Sequence, residues 1–311
     1  MLSMLSTILP IFALILAGWT ARRTGALGPN ATRELNRFVV YLALPALLFS
    51  IVANAHWADI WQPGFVAAFG LGSGAVFILT IVVRRRRPRH LADAAIDGLN
   101  AAYANTAFIG FPLTLAVMGP AARTPTLIAS LLTVCVLFAA ALILIEVGLQ
   151  TERHPRRMAR KVTLSLIRNP LLVAPALGAP FLAFGIPVPA PAEHFLDLLG
   201  AAASPCALVA LGLFLAEKRP NAEPNLGATG LLVGLKLVAQ PLLTWVLATW
   251  FFHLPVPAGR AAVLLAALPT GTGPFMVAEF YRREAGLTSR AVLVSTILSL
   301  LTITLYLSVG T

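Results

Sequence analysis

The sequence contains little charge. Only 11% of its 311 residues are Asp, Glu, Lys or Arg, whereas 58% are hydrophobic and the mean hydropathy is +0.85. A soluble domain is about a quarter charged, so these charges cannot cover the surface of a soluble globule of this length. The composition therefore excludes a water-soluble single domain and indicates that the lipid bilayer is the main solvent.

Cysteine and catalytic motifs are also scarce. The two cysteines, Cys135 and Cys206, lie far apart in apolar runs, so the sequence predicts neither a disulfide framework nor a metal site. It contains no HExxH motif, no nucleophile elbow and no buried pair of Asp or His residues, which are the patterns expected of an intramembrane enzyme. We therefore expect a protein that is not an enzyme and needs no cofactor.

What the sequence does contain is a series of apolar runs. A transmembrane helix needs roughly 20 such residues, and ten runs of this kind stand between charged or turn-rich breaks. The first run lacks a positively charged start and is followed by Arg22 and Arg23, which favours a spanning helix over a signal peptide. The sequence thus predicts an all-α polytopic membrane protein. Its ten predicted spans are residues 2–20, 34–53, 63–83, 92–118, 125–148, 164–184, 194–215, 226–251, 259–280 and 288–309.

Basic residues alternate between the loops. Twenty of the 23 lie in or beside odd-numbered loops, whereas the even-numbered loops hold only Arg123 and Arg260. By the positive-inside rule the odd-numbered loops are cytoplasmic, which places both termini on the extracytoplasmic side. The net charge of +11 therefore reports orientation and not a nucleic-acid partner. The basic residues of the odd-numbered loops are Arg22, Arg23, Arg33, Arg37, Arg84, Arg85, Arg86, Arg87, Arg89, Arg153, Arg156, Arg157, Arg160, Lys161, Arg168, Lys218, Arg219, Arg282, Arg283 and Arg290.

The chain resembles itself at an offset of 160 residues. Seven Gly or Pro residues coincide at this offset, against about two expected from composition, which indicates an internal repeat. Residues 1–150 and 160–311 then hold five spans each. Because five is odd, the halves enter the membrane from opposite sides, as in many secondary transporters. The alternative is that Gly and Pro simply recur in membrane helices. The coinciding pairs are Pro10/Pro170, Gly18/Gly178, Gly25/Gly185, Pro29/Pro189, Pro45/Pro205, Gly70/Gly230 and Gly74/Gly234.

Two of these pairs also form GxxxG motifs. Gly70 with Gly74 lies in the third span and Gly230 with Gly234 in the eighth. Small residues at this spacing let membrane helices approach closely. We therefore expect these glycines to let corresponding helices pack closely inside the fold, in preference to the alternative, dimerisation through either pair.

The fourth and ninth spans are interrupted by Gly and Pro. Residues 100–112 read NAAYANTAFIGFP and residues 268–275 read LPTGTGPF. Proline and glycine unwind a helix, and unwound backbone at this depth is tolerated only where it lines a cavity or is buried in protein. A matched pair of broken helices is a pointer to a transport site, although structural kinks without a ligand are the alternative. The candidate substrate-binding residues are Asn105, Thr106, Gly110, Pro112, Thr270, Gly271, Thr272 and Pro274.

One charged residue lies deep in a span. Lys236 is about ten residues into the eighth span, too deep to reach the interface comfortably, and such a residue is functional by default. It can offset the carbonyl ends of the broken helices or pair with an anionic substrate, and we favour the first role. The acidic residues Asp93, Asp97, Glu146 and Glu279 are expected toward the cytoplasmic ends.

An ordered set of motifs resembles the auxin efflux carrier family. The resemblance implies ten helices with crossed, broken fourth and ninth helices, a fold shared with bile acid symporters and sodium/proton antiporters. It also implies a scaffold of helices 1, 2, 6 and 7 and a moving core of helices 3–5 and 8–10. The motifs are LNRFVVYLALPALLF at 35–49, NTAFIGFP at 105–112, IRNP at 167–170, KLVAQP at 236–241, and LPT at 268–270 with Tyr281 downstream.

The resemblance carries functional expectations. Family members export auxin in plants, and bacterial relatives are described as malate or malonate carriers. Asn105 matches an asparagine that helps hold the substrate carboxylate, and Lys236 resembles a lysine of related antiporters. This chain lacks the antiporters' paired aspartates, so sodium/proton exchange is not expected. Abundant arginine and alanine are typical of a GC-rich bacterial source, which predicts the inner membrane.

These observations predict a secondary carrier for small organic anions, such as malate, malonate or auxin-like acids, that works by elevator-type alternating access. The coupling ion (H⁺, Na⁺ or none), the transport direction and a homodimeric state stay open. The alternatives are a sensor or channel without coupled transport and a sodium-coupled symporter of the bile acid type. The expected partners are the organic anion and the lipid bilayer, without nucleic acid.

Overall fold

The computed structural model describes residues 2–86, 89–150, 155–217 and 225–309, and within these ranges every regular element is a helix. Four of the basic residues assigned to cytoplasmic loops, Arg87, Arg153, Lys218 and Arg219, lie outside the described residues. The helices of eight or more residues are α1 Leu2–Arg23, α2 Ala31–Ala53, α3 Pro63–Arg85, α4 Leu91–Ala102, α5 Thr106–Met118, α6 Pro120–Leu149, α7 Pro155–Arg168, α8 Pro170–Phe184, α9 Ala190–Ala216, α10 Leu226–Phe251, α11 Val256–Ala266, α12 Gly273–Phe280 and α13 Ala285–Val309. A shorter helix spans Trp57–Ile60.

Six helices in the described ranges are long and apolar enough to cross a membrane: α2, α3, α6, α9, α10 and α13. A seventh is reached if α7 and α8, which meet at 75° around Asn169, count as one span. The all-α, multi-pass prediction is confirmed. The interrupted regions fall below this criterion because their helices are short. The 11 residues of α11 rise only about 17 Å at 1.5 Å per residue, against a hydrocarbon core of about 30 Å.

The helices pack in two groups. In the first, α1 packs along α9, and α2 packs against α8 and α9. In the second, α3 packs on α4 and α10, α4 packs on α6, and α10 packs on α11 and α13. The candidate site lies where the second group faces α2 and α9 of the first.

Glycines permit close helix contact, but not the glycines of the GxxxG motifs. A Cβ on Gly74, Gly230 or Gly234 would meet open space, so the expected tight packing at these positions is wrong. The close approach is instead between α1 and α9. There, a Cβ on Gly212 would overlap the carbonyl oxygen of Ile15.

Candidate functional site

The two interrupted regions face each other. Helix α4 ends at Ala102 and α5 begins at Thr106, while α11 ends at Ala266 and α12 begins at Gly273. The second unwound stretch contains or adjoins the Gly and Pro residues that predicted it, whereas Gly110 and Pro112 lie inside α5, beyond the first unwound stretch. The structure thus presents four helix ends, two carbonyl ends and two amide ends, around one region of the protein.

Backbone hydrogen bonds join the two unwound stretches. The Asn105 amide donates to the Pro269 carbonyl at 2.9 Å, and the Gly271 amide donates to the Tyr103 carbonyl at 3.0 Å. Ala104 and Thr270 lie between them as an isolated antiparallel bridge. The pairing satisfies backbone groups that the bilayer core could not hydrate.

Glycine is required where Tyr103 packs over the second interruption. A Cβ on Gly271 would lie 2.8 Å from the Tyr103 ring, and a Cβ on Gly273 would lie 2.8 Å from the same side chain. These distances are shorter than carbon atoms tolerate. Of the two, Gly271 is among the predicted site residues, and its role in the structure is to let the stretches approach.

The predicted polar residues fall into two sets. Asn105, Thr106 and Thr272 line a cavity between the helix groups. Thr270 does not line it, because its hydroxyl donates to the Asn100 carbonyl at 2.8 Å and its amide donates to Ser295 Oγ at 3.1 Å. Thr270 therefore fastens the second interruption to α4 and α13.

The remaining predicted residues shape the helices. Pro274 is buried in the first turn of α12. Gly110 packs beside Leu265 and Leu268 of the second interrupted region. Helical backbone starts at Thr106 with a π-helical turn, so Pro112 lies within α5, in the first turn of its regular α-helical part. Gly110, Pro112 and Pro274 are not among the cavity-lining residues.

The cavity is small. Its water-accessible volume is about 20 Å³, room for about one water molecule. The first helix group contributes Val39, Leu44 and Leu47 of α2 and Ala203 and Ala207 of α9, all apolar. In this conformation the cavity cannot hold an organic molecule, so an occupant requires the two groups to separate.

Thr106 has an unused hydroxyl at this cavity. The residue is fully buried, and its Oγ1 has no hydrogen-bond partner in the described structure. Since buried polar atoms are normally paired, this hydroxyl is available to an occupant. Asn105, next to it, is 6% exposed.

Two side chains of α10 cap the two carbonyl ends. The fully buried Lys236 donates from Nζ to the Ala266 carbonyl at 2.7 Å, at the end of α11. The fully buried Gln240 donates from Nε2 to the Ala102 carbonyl at 3.0 Å, at the end of α4, and to Ser73 Oγ at 2.9 Å. Cations and donors are favourable at helix carbonyl ends.

The sequence reasoning missed Gln240. The available signal was its spacing, because residues four apart share one face of a helix and Gln240 lies four residues after Lys236. A π-helical turn at Leu235–Ala239 directly precedes Gln240 and Pro241, and such turns are frequent at functional sites.

Other charges near the core are already paired. Asp97 is fully buried and lies 2.7 Å from Arg84 Nε and 2.8 Å from Arg89 Nε. Lys236 makes no ion pair with a carboxylate in the described ranges. Within the same ranges no group of three or more His, Cys, Asp or Glu residues could hold a metal ion.

Comparison of the sequence with known proteins relates this chain to transporters. A family model described as "Membrane transport protein" matches residues 3–307. A "Putative malonate transporter" of Rhizobium meliloti is 30% identical over 301 residues, covering 96% of this chain and 92% of the relative. An "Uncharacterized transporter" of Methanothermobacter thermautotrophicus is 27% identical over 96% of both chains. A "Probable auxin efflux carrier component 5c" of Oryza sativa is 29% identical over 146 residues, 46% of this chain and 39% of the relative.

Proposed function

Because the chain belongs to the auxin efflux carrier family of membrane transport proteins, we propose that it is a secondary carrier for small organic anions. The family and the relatives are transporters, and none of the relatives named above is described as an enzyme. One relative is named for malonate and another for auxin, both carboxylic acids. The proposal carries this substrate class over to the cavity at the two interruptions.

The observation that carries the proposal is the convergence of two helix amide ends on one buried cavity. The starts of α5 and α12, at Thr106 and Gly273, both line it. The first amides of a helix have no partner within the helix, and each helix start carries a partial positive charge, so such ends bind anions. Asn105 adds a side-chain amide beside them, in line with a role in holding the substrate carboxylate.

The packing supports an inverted repeat. If α1–α6 and α8–α13 are equivalent halves, α1 corresponds to α8 and α2 to α9, and the observed pairs α1–α9 and α2–α8 exchange under that relation. The pairs α4–α10 and α3–α11 exchange in the same way. We propose on this basis ten membrane-crossing units, with α4 and α5 forming one and α11 and α12 forming another.

The same packing supports a moving core. We infer that α1, α2, α8 and α9 form the scaffold and that α3–α6 and α10–α13 form the core. The cavity lies on the boundary between them and is too small for a substrate in this state. A displacement of the core along α2 and α9 would open it toward one side and then the other, as elevator-type alternating access requires.

The orientation follows from charge. With the basic loops in the cytoplasm, both termini are extracytoplasmic, and we propose the bacterial inner membrane as the location. The substrate and the bilayer are then the partners that the carrier needs.

An Asn105→Ala variant tests the proposal. In proteoliposomes loaded with unlabelled malonate, wild-type protein should accumulate labelled malonate by counterflow, and Asn105→Ala should lose at least nine-tenths of this exchange, about the 1.4 kcal/mol of one hydrogen bond to a charged group. Asn54→Ala, an exposed amide at the end of α2, is the matched control and should exchange normally. Undiminished exchange by a folded Asn105→Ala variant would refute the site.

Counterflow also separates the carrier from other functions. A channel or a sensor does not exchange labelled for unlabelled substrate against a gradient, so absence of counterflow with every carboxylate would favour those functions. If exchange occurs, replacing sodium by potassium in the buffer shows whether uptake is coupled to sodium.

A further inference from the structure

The interrupted helices, the residues that cap them and the cavity together limit the charge that the site can accept. We propose that Lys236 and Gln240 set the valence of the transported anion at one, so that a dicarboxylate crosses only as its singly protonated form. The inference rests on the proposed function, because it concerns the substrate of the same site.

The four helix ends cancel each other. Each helix end is equivalent to about half an elementary charge, positive at the amide end and negative at the carbonyl end. The amide ends at Thr106 and Gly273 therefore contribute about +1, and the carbonyl ends at Ala102 and Ala266 contribute about −1. The helix ends alone therefore leave the region where the two interrupted helices meet, which we call the crossing, close to electrically neutral.

The two caps are unequal, and this inequality decides the total. A protonated Lys236 brings a full positive charge to the Ala266 carbonyl, whereas Gln240 brings a neutral amide to the Ala102 carbonyl. With Lys236 protonated, the empty crossing holds about one net positive charge, which one carboxylate neutralises. A dianion would leave an uncompensated negative charge in a region shielded from water, where it has no bulk solvent to screen it.

The scaffold side of the cavity offers no partner for a second carboxylate. The polar side chains that line the cavity are Asn105, Thr106, Thr272 and Tyr103, all on the core side. The facing wall from α2 and α9 is formed by valine, leucine and alanine. An ionised carboxylate against this wall would be buried without a donor, whereas a protonated carboxyl is neutral there and much less costly to bury. The unpaired Thr106 hydroxyl lies where one carboxylate can be held.

The surrounding charged groups do not alter this balance. Around α10, helix α4 carries Asp93 and Asp97, which are paired with Arg283 and with Arg84 and Arg89. Helices α3, α11 and α13 add only basic residues or tyrosine: Arg84 and Arg85 on α3, Arg260 on α11, and Arg290 and Tyr306 on α13. In the described ranges none of them forms a hydrogen bond or an ion pair with Lys236.

We therefore expect malonate uptake to depend on pH because the substrate, and not the carrier, takes up the proton. Above the second pKa of malonic acid, the singly protonated fraction rises about tenfold for each unit by which the pH falls. Uptake of labelled malonate at fixed total concentration should rise in proportion. Monomethyl malonate has one carboxyl group and stays a monoanion over this range, so its uptake should not change with pH.

The experiment compares the uptake of malonate and of monomethyl malonate into proteoliposomes at a series of pH values. Uptake into protein-free liposomes is subtracted, and the comparison decides the valence of the transported anion. Malonate uptake that is flat with pH would show transport of the dianion and overturn the proposal. If uptake of malonate and of monomethyl malonate rises equally as the pH falls, the proton binds to the carrier, and this result also overturns the proposal. If the wild-type protein exchanges no carboxylate at any pH, the proposed function itself is refuted. This outcome differs from the two results that overturn only the proposal about valence.

A substitution at Gln240 tests the assignment to the caps. Gln240→Lys adds a second charge at the Ala102 carbonyl and should admit the dianion, so that malonate uptake loses its pH dependence. Gln240→Leu adds no charge and should keep the pH dependence, whatever its rate. A folded Gln240→Lys variant whose malonate uptake keeps the wild-type pH dependence would overturn the assignment of the valence to Lys236 and Gln240. If this variant fails to fold, the wild-type comparison of the two probes still decides the valence.

Discussion

The contact between α1 and α9 makes a quantitative prediction about two glycines. A Cβ at Gly212 would overlap the Ile15 carbonyl oxygen and lie 2.9 Å from the Trp19 nitrogen, whereas a Cβ at Gly234 would meet nothing within 4 Å. Both glycines are helical, so alanine at either position gains up to about 1 kcal/mol of helix propensity. Only the change at Gly212 requires rigid backbone atoms to move.

The expected effects have opposite signs. To accept Gly212→Ala, α1 and α9 must separate by a distance on the order of 1 Å. Because rigid backbone atoms must move, the cost lies in the upper part of the range for overpacking, at about 2–3 kcal/mol. After the propensity gain, we expect a net loss of about 1–2 kcal/mol and a fall in Tm of about 2–8 °C. Gly234→Ala should raise Tm by up to about 4 °C.

Thermal unfolding of detergent-purified variants, followed by a thiol-reactive dye at the free Cys135 and Cys206, measures both changes. Both variants are read against the wild type under identical conditions. An unchanged or raised Tm for Gly212→Ala would refute the close approach of α1 and α9. A lowered Tm for Gly234→Ala would restore the role that the GxxxG spacing indicated.

Two further predictions concern the second helix group. Asp97→Asn removes a fully buried carboxylate from between two arginines. Breaking a buried ion pair costs about 3–5 kcal/mol, so Tm should fall by more than for Gly212→Ala. A Tm equal to that of the wild type would contradict the burial of this ion pair. Gly271→Ala forces its Cβ against the Tyr103 ring and should reduce malonate counterflow at least tenfold, whereas Gly259→Ala, with open space around it, should leave counterflow unchanged.

Much of the fold could be predicted from the composition and from the positions of Gly and Pro residues. The low charge indicated a membrane protein, and the Gly and Pro residues at 268–274 marked one interruption, since backbone conformation is encoded locally by these residues. The family resemblance was also correct. Asn105, Thr106 and Thr272 were predicted for the site and lie at one cavity, although their binding role stays a prediction.

The rest depends on which face of each helix turns inward. In a bilayer, lipid-facing and protein-facing surfaces are both apolar, so hydrophobic periodicity does not separate them. The sequence therefore could not show that Gly234 faces outward and Gly212 faces α1, or that Asp97 is buried against arginines. The spacing from Lys236 places Gln240 on the same helix face, but the sequence could not show its partner, because the Ala102 carbonyl is a backbone atom of a distant helix.

The bonds between the two unwound stretches have a consequence for biosynthesis. The Asn105 amide finds its partner only at the Pro269 carbonyl, and the Tyr103 carbonyl only at the Gly271 amide, and the ribosome adds both of these partners much later. Until then the first interrupted helix holds polar backbone in the membrane without its final partners, a condition that is costly in hydrocarbon. The pairing of the two stretches is thus completed late in synthesis, and a nascent chain that stops short of Pro269 leaves these backbone groups without their final partners.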